Sequence, residues 1–254
     1  MIPASHDFHD KVVVVTGGSR GIGFEIAKIF LAQGARVAIC SRREQSLKAA
    51  AERLNGGDRL LSVVAHVAKE AEVENLFDTT LRSFGAIDVL VNNVGMNLVS
   101  ASVIDADVAV WNKIVEGNLT GAFLCSRRAA KIMREQKRGK IVSISSLAAR
   151  KASPAMGIYG VAKAGLEMLT KVLAFELAPF NIQVNAIAPG MVRTDFSKPF
   201  WETPSIHEQI VKGIPAGRIA ETSDLTPVIL FLASSDADYI TGQTIAVDGG
   251  ATAL

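Results

Sequence analysis

Three residues near the middle of the chain have types and spacing suited to proton transfer. Tyr159 and Lys163 are four residues apart, so on a helix their side chains share a face with Cβ atoms about 5–6 Å apart. A tyrosine titrates near pKa ~10, and a cation at this distance lowers that pKa by favouring the phenolate. Ser146, thirteen residues before Tyr159, can hydrogen-bond a carbonyl oxygen at the same point. The trio predicts proton transfer to and from an oxygen, although Tyr-x-x-x-Lys alone is also an ordinary helix surface pair.

The N-terminal part of the chain has the pattern of a nucleotide-binding unit. Residues 12–15 are four consecutive valines, which is typical of a strand buried on both faces of a parallel sheet. A turn with the glycine spacing G-x-x-x-G-x-G follows at residues 16–23, and an amphipathic helix is predicted at residues 24–33. Strand, glycine turn and helix together favour phosphate binding at the helix N-terminus over a purely structural turn. The predicted contacts are Gly17, Ser19, Arg20, Gly21, Ile22 and Gly23.

The end of the predicted second strand, residues 35–40, bears on the choice of dinucleotide. It is followed by Ser41, Arg42 and Arg43, and no acidic residue comes before Glu44. An NAD-binding site has a carboxylate near this position for the ribose 2′-hydroxyl, whereas guanidinium groups suit a 2′-phosphate. The two arginines can equally be solvated loop residues. We favour NADP(H) as the cofactor, with NAD(H) as the alternative.

With these motifs, nearly the whole chain resembles the short-chain dehydrogenase/reductase family. The glycine turn looks like the family's cofactor turn, and residues 92–95 look like its Asn-Asn-Ala-Gly motif. Asn118, Ser146, Tyr159 and Lys163 match its four active-site residues, and residues 189–194 match the segment that surrounds the nicotinamide. The further cofactor contacts implied by the resemblance are His66, Val67, Asn93, Gly95, Tyr159, Lys163, Pro189, Gly190, Val192 and Thr194.

The chain departs from the family pattern at three positions. Val94 replaces the usual alanine of the Asn-Asn-Ala-Gly motif. His66 stands where an aspartate usually hydrogen-bonds the adenine, and a histidine can hydrogen-bond or stack there instead. Arg150 stands where a glycine often follows the serine motif, so a change at the rim of the pocket is expected.

The resemblance also implies a role for each active-site residue. In the reductive direction a hydride goes to the carbonyl carbon, and Tyr159 donates a proton to the oxygen. Lys163 lowers the pKa of the tyrosine and binds the nicotinamide ribose, while Ser146 polarises the carbonyl. Asn118 anchors a water that connects Lys163 with solvent. The reaction is the reversible interconversion of a ketone and a secondary alcohol.

Alternation of strand and helix patterns predicts the fold. Strands are expected at residues 12–15, 35–40, 60–65, 87–91, 140–145, 182–188 and 243–247, with helices between them. A long helical stretch at residues 108–136 is expected to break near Gly117. We predict an α/β fold in which residues 1–254 form a single domain, a doubly wound parallel sheet of the Rossmann type with about seven strands and helices on both faces. Its C-terminal strand edge is expected to carry the motifs.

The substrate is expected to be apolar. A segment at about residues 193–215 lies where the family has its substrate lid, and its clustered aromatics suggest a mobile apolar cover, although any one of them can be a core anchor. An apolar or alicyclic ketone or alcohol fits this composition better than a polyol. The alternatives are a 3-oxoacyl-thioester reductase, disfavoured by Phe180 at a position where such enzymes carry a docking arginine, and a nucleotide-binding sensor or scaffold without catalysis. The predicted substrate contacts are Met96, Ser146, Met156, Tyr159, Met191, Phe196, Phe200 and Trp201.

Composition restricts the remaining classes. The chain has 254 residues, is 49% hydrophobic and has a formal net charge of +2, which argues neither for nucleic acid nor for membrane binding. Cys40 and Cys125 form no metal motif or disulfide framework, the four histidines show no metal-ligand spacing, and no apolar run is long enough to span a membrane. The first ten residues lack a signal-peptide core, so we expect a cytoplasmic protein. The resemblance implies a homotetramer.

Overall fold

The computed structural model describes residues 8–98, 102–153 and 155–253. Seven strands lie in these ranges: β1 (Val12–Thr16), β2 (Arg36–Ser41), β3 (Leu60–Val64), β4 (Val89–Asn92), β5 (Gly139–Ile144), β6 (Ile182–Pro189) and β7 (Thr244–Val247). They form one parallel sheet in the order β3-β2-β1-β4-β5-β6-β7. The order reverses between β1 and β4, and such a switch point opens a crevice at the carboxyl ends of the strands.

Helices cover both faces of the sheet. Val13 and Val15 of β1 belong to one apolar cluster and Val14 to the other, because successive residues of a strand point to opposite faces. The α-helices in the described ranges are α1 (Gly21–Ala32), α2 (Glu44–Leu54), α3 (Glu70–Phe84), α4 (Val108–Val115), α5 (Gly121–Gln136), α6 (Gly157–Leu177), α7 (Lys198–Trp201), α8 (Pro204–Lys212) and α9 (Thr226–Ala233). The first cluster is closed by α1, α2 and α9, and the second by α3, α5 and α6.

The predicted single-domain, doubly wound parallel sheet is confirmed. Each strand begins and ends within two residues of its predicted bounds, because runs of apolar residues mark the strands directly. The break expected near Gly117 is a π-helical turn, Glu116–Thr120, between α4 and α5. The segment at residues 193–215 contains the two short helices α7 and α8.

Candidate active site

Ser146, Tyr159 and Lys163 meet at the carboxyl end of β5. Ser146 follows this strand by two residues and begins a short 3₁₀ turn, Leu147–Ala149, whose Ala148 amide donates to the serine Oγ at 3.2 Å. Tyr159 and Lys163 lie in the first turns of α6 and are buried, with 8% and 2% of their surface exposed. The Lys163 Nζ donates to the carbonyl oxygen of Ile144 at 2.8 Å and lies 5.6 Å from the centre of the Tyr159 ring.

Burial dominates the titration of this pair. Burial raises the pKa of Tyr159 to about 12, and the opposing effect comes from a hydrogen bond with the Ser146 hydroxyl rather than from Lys163. Burial also lowers the pKa of Lys163 to about 8. The expected lowering of the tyrosine pKa by Lys163 is therefore wrong for the protein alone, because desolvation penalises the charged form of both groups.

The side chain of Asn118 is occupied by backbone partners. Its Oδ1 accepts from the Met96 amide at 3.1 Å, and its Nδ2 donates to the carbonyl oxygens of Met96 at 2.7 Å and Ile114 at 2.8 Å. Asn118 is fully buried in the π turn and does not line the cleft described below. A Cβ on Gly95 would lie 3.3 Å from Asn118 Oδ1 and 3.5 Å from Lys163 Nζ, so glycine keeps the space between these groups narrow but open.

The glycine turn has the geometry of a phosphate cradle. Gly17 has φ +68°, a conformation that side chains rarely adopt, and a Cβ on Gly23 would lie 2.4 Å from the Gly17 carbonyl oxygen. The turn is held to β4 by Asn93, whose Nδ2 donates to the Thr16 carbonyl oxygen at 2.9 Å. Arg20, at the N-cap of α1, makes no side-chain capping bond, so the helix N-terminus is open to an anion. These residues fit a dinucleotide pyrophosphate.

A continuous cleft of about 1180 Å³ extends from the glycine turn to the trio. That volume exceeds the upper end of ordinary small-ligand pockets, about 1000 Å³, and suits a dinucleotide together with a substrate. All predicted cofactor-binding residues line the cleft except Gly23 and Arg43. Gly23 packs closely against the backbone of Gly17, whereas Arg43 is exposed at the N-cap of α2.

The far end of the cleft from the trio is cationic. Arg20, Ser41 and Arg42 line it at the ends of β1 and β2, and no carboxylate of this region does. His66, after β3, also faces the cleft. Its Nδ1 accepts from the Ala68 amide at 3.2 Å, so the unprotonated Nδ1 leaves Nε2–H as a donor.

The wall nearest the trio is largely apolar. Met96, Met156, Met191, Phe196 and Phe200 all line it, and the Phe196 ring centre is 6.3 Å from that of Tyr159.

Trp201, by contrast, does not line the cleft. Its Nε1 donates to the Thr194 carbonyl oxygen at 3.3 Å and to Ser197 Oγ at 3.2 Å. The Arg193 guanidinium lies 5.0 Å from the centre of its ring. The prediction that Trp201 contacts the substrate is therefore corrected, because its side chain packs against residues of its own segment.

Two helical faces that line the cleft were not predicted from the sequence. Ile206, Gln209 and Ile210 line it from α8, and their i, i+3, i+4 spacing was the available signal. A second stripe, with the spacing i, i+3, i+4, i+7, runs from α4 into the π turn and comprises Ala109, Asn112, Lys113 and Glu116.

No helix in the described ranges is long and apolar enough to cross a membrane, and no group there of three or more His, Cys, Asp or Glu residues could hold a metal ion.

Comparison with known proteins agrees with this geometry. Residues 17–252 match a family model described as enoyl-(acyl carrier protein) reductase. The chain is 38% identical to dehydrogenase/reductase SDR family member 4 of Bos taurus over 95% of this chain and 87% of the relative. A crystal structure provisionally described as a gluconate dehydrogenase from Agrobacterium tumefaciens is 34% identical, with a TM-score of 0.93 and 98% of both chains covered. Levodione reductase is 31% identical, with a TM-score of 0.93, covering 97% of this chain and 99% of the other.

The fold and the glycine-lined cleft define a Rossmann-type, nucleotide-binding protein. With the matches above, the chain belongs to the short-chain dehydrogenase/reductase family. It is an oxidoreductase of the NAD(P)-dependent kind that acts on a small molecule.

Proposed function

We propose that this protein is an NADP(H)-preferring oxidoreductase that interconverts an apolar or alicyclic ketone and a secondary alcohol, with Tyr159 as general acid and base. One observation carries the proposal. The half-buried Ser146 and the buried Tyr159 and Lys163 lie on the same cleft as a phosphate cradle, and the wall beside them is largely apolar. A nicotinamide bound there would supply or accept the hydride.

Each residue of the trio has a proposed step. Ser146 donates a hydrogen bond to the substrate oxygen, and Tyr159 gives that oxygen a proton or removes one from it. Burial raises the pKa of Tyr159 to about 12, so the phenol carries the proton that the reductive step requires. Lys163, with a pKa lowered to about 8, can exchange a proton near neutral pH and replace the one that the tyrosine loses. Asn118 fixes the backbone around this route by binding both polar groups of Met96.

The preference for NADP(H) rests on charge. Arg20 and Arg42 line the same end of the cleft, and neither forms an ion pair with another of the described residues. A guanidinium forms strong, charge-assisted hydrogen bonds with phosphate oxygens. Two cations without an ion pair among the described residues, at an end of the cleft that no described carboxylate lines, favour a ribose with a 2′-phosphate.

The substrate class rests on the wall of the cleft in this chain, because the solved relatives carry names with different substrates. The methionine and phenylalanine side chains near Tyr159 offer dispersion contacts and few hydrogen bonds. A polyol would lose its hydration against these methionine and phenylalanine side chains without gaining hydrogen bonds from them. We further propose that residues 193–215 act as a lid, which brings Phe196 and Phe200 over the substrate.

A substrate panel tests this function. Purified protein is mixed with NADPH and, in parallel, with cyclic ketones, linear aliphatic ketones, a keto-sugar acid and acetoacetyl thioesters, and the absorbance at ~340 nm of reduced nicotinamide is followed. Preference for cyclic or linear apolar ketones is expected. Preference for thioesters would favour the acyl reductase alternative, since the matching family model is described as an acyl carrier protein-linked reductase. NADPH binding without turnover of any compound would favour a sensor or scaffold.

Assembly as a homotetramer is proposed from an exposed stripe on α6. Val161, Met168, Val172 and Phe175 lie on one face of this helix and are 51%, 58%, 44% and 85% exposed. Apolar surface arranged in this way marks an interaction site, and a second copy of the chain is the occupant that the family resemblance implies. Light scattering after gel filtration should give four times the chain mass of 26.9 kDa, and Phe175→Glu should reduce it.

A further inference from the structure

Arg150, one of the residues that depart from the family pattern, lies in a polar network behind the cleft, of whose members Ser145 lines the cleft and Arg150 and Glu167 do not. Its Nε donates to Glu167 Oε2 at 3.4 Å, and its Nη2 donates to the Thr244 carbonyl oxygen of β7 at 2.7 Å. The other carboxylate oxygen, Glu167 Oε1, accepts from the Ser145 hydroxyl at 3.0 Å. Arg150 does not line the cleft, so the expected change at the pocket rim is not seen.

The network joins the two elements that carry the trio. Ser145 directly precedes Ser146, and Arg150 ends the 3₁₀ turn that follows it, so we call residues 145–150 the serine turn. Glu167 is one helical turn beyond Lys163 and two beyond Tyr159, on the same face of α6. One carboxylate therefore holds both ends of the serine turn against the helix that carries Tyr159 and Lys163.

The inner half of this network is shielded from solvent. Ser145 is 3% exposed and the Glu167 side chain is 16% exposed, whereas Arg150 is an exposed residue that reaches Glu167 from the surface. The Ser145–Glu167 hydrogen bond at 3.0 Å has a carboxylate acceptor and is screened little by salt, and the 3.4 Å contact of Arg150 is the weaker part of the network. The backbone supports the same arrangement, since the Ser145 amide donates to the Ile187 carbonyl oxygen of β6 at 2.7 Å.

We infer that Glu167 and Arg150 are positioning residues that fix Ser146 relative to Tyr159. This inference rests on the proposed function, because it concerns the alignment of the two groups that share the substrate oxygen. Displacements near 1 Å in such an alignment can cost about 10²-fold in rate. Glu167 and Arg150 touch neither substrate nor cofactor, so their loss should affect kcat and leave cofactor binding unchanged.

A double-mutant cycle tests the inference. Glu167→Gln and Arg150→Met should each lower kcat about tenfold with KM for NADPH changed less than about twofold, since only alignment in the transition state is lost. The two effects should combine less than additively, because both substitutions remove the Arg150–Glu167 contact, although each residue also has a partner of its own, Thr244 for Arg150 and Ser145 for Glu167. Arg150→Lys should recover part of the rate. In the oxidative direction, the acid limb of the pH–rate profile should move to higher pH, since the Ser146 hydrogen bond opposes the raised pKa of Tyr159.

The matched control is Glu74→Gln. Glu74 of α3 pairs with Arg128 of α5 at 2.7 Å, with side chains 38% and 20% exposed, and neither residue lines the cleft. This variant should retain wild-type kcat. If Glu167→Gln behaves like Glu74→Gln, or raises KM alone, or combines additively with Arg150→Met, the positioning role is overturned.

Hydrogen exchange gives a readout that does not depend on turnover. In Glu167→Gln the amides of Ala149 and Arg150, which bond within the turn, should exchange faster while the core of α6 stays protected. Unchanged exchange in the serine turn would overturn the inference even if the wild-type protein turned over no ketone. Wild-type protein without turnover, together with faster exchange in the variant, would overturn the proposed function and leave the structural connection standing.

Discussion

Gly160, the residue after Tyr159, has no room for a side chain, and Gly160→Ala should lower catalytic activity. A Cβ at this position would lie 2.5 Å from the Ala148 carbonyl oxygen, which is backbone of the serine turn. Carbon–oxygen contacts this short essentially do not occur, so Gly160→Ala must move the turn away from α6. Because Ser146 begins that turn, the expected consequence is a wider separation of Ser146 from Tyr159.

The magnitudes follow from the geometry. Reaching an ordinary contact requires the carbonyl to move by somewhat under ~1 Å, a displacement that can cost up to about 10²-fold in kcat. Forcing an extra methyl group into a packed site costs about 1–3 kcal/mol, and the better helix propensity of alanine returns about 1 kcal/mol. Gly160→Ala should therefore remain folded, with a stability loss of about 0–2 kcal/mol.

The control for Gly160→Ala is Gly165→Ala on the same helix. A Cβ at Gly165 meets the end of the flexible Leu119 side chain at 2.9 Å, which can move aside. This variant should keep wild-type kcat and be at least as stable. Steady-state kinetics with NADPH and the preferred ketone, with thermal unfolding of each variant, compares the two. A Gly160→Ala protein with at least half of the wild-type kcat would refute the reasoning.

Further predictions concern the cofactor, the buried lysine and the lid. Arg42→Ala should weaken NADPH binding about ten- to hundredfold, the loss expected for one charge-assisted phosphate contact, and leave NADH binding unchanged in titrations. Lys163→Met should be more stable than wild type at pH 7, because a folded-state pKa of about 8 lies below the ordinary value of 10.5. The penalty for the buried ammonium is full below pH 8 and fades towards pH 10.5, so the difference in Tm should shrink over that window and a constant difference would refute it. Phe200→Ala should raise KM for the ketone, whereas Trp201→Phe should change stability more than KM, as ketone titrations and melting curves can show.

The fold could be predicted almost completely from the sequence. The four valines of β1 and similar apolar runs mark strands buried on both faces, and the glycine turn and the strand–helix alternation then determine the sheet. The break near Gly117 could be anticipated, but its π-helical form depends on the buried contacts of Asn118 with Met96 and Ile114.

The site was predictable where a motif specifies backbone geometry. The direction in which the aromatic side chains of the lid segment point could not be predicted. Phe196, Phe200 and Trp201 are all large and aromatic, and only the packing around α7 turns Trp201 away from the cleft. The pKa shifts of Tyr159 and Lys163 could also not be predicted from their spacing, because the effect of burial outweighs that of their proximity. Arg150 is oriented by Glu167 and Thr244, which are distant in the chain.

The central claim, acid–base catalysis by Tyr159, is tested most directly by Tyr159→Phe, which removes one hydroxyl from a buried ring. NADPH affinity is measured by fluorescence titration, and ketone reduction is measured under single-turnover conditions with the same preparation. We predict that NADPH binds with nearly wild-type affinity while reduction slows by at least ~10²-fold, the lower end for loss of a general acid. Reduction at close to the wild-type rate by the NADPH-bound variant would contradict the account.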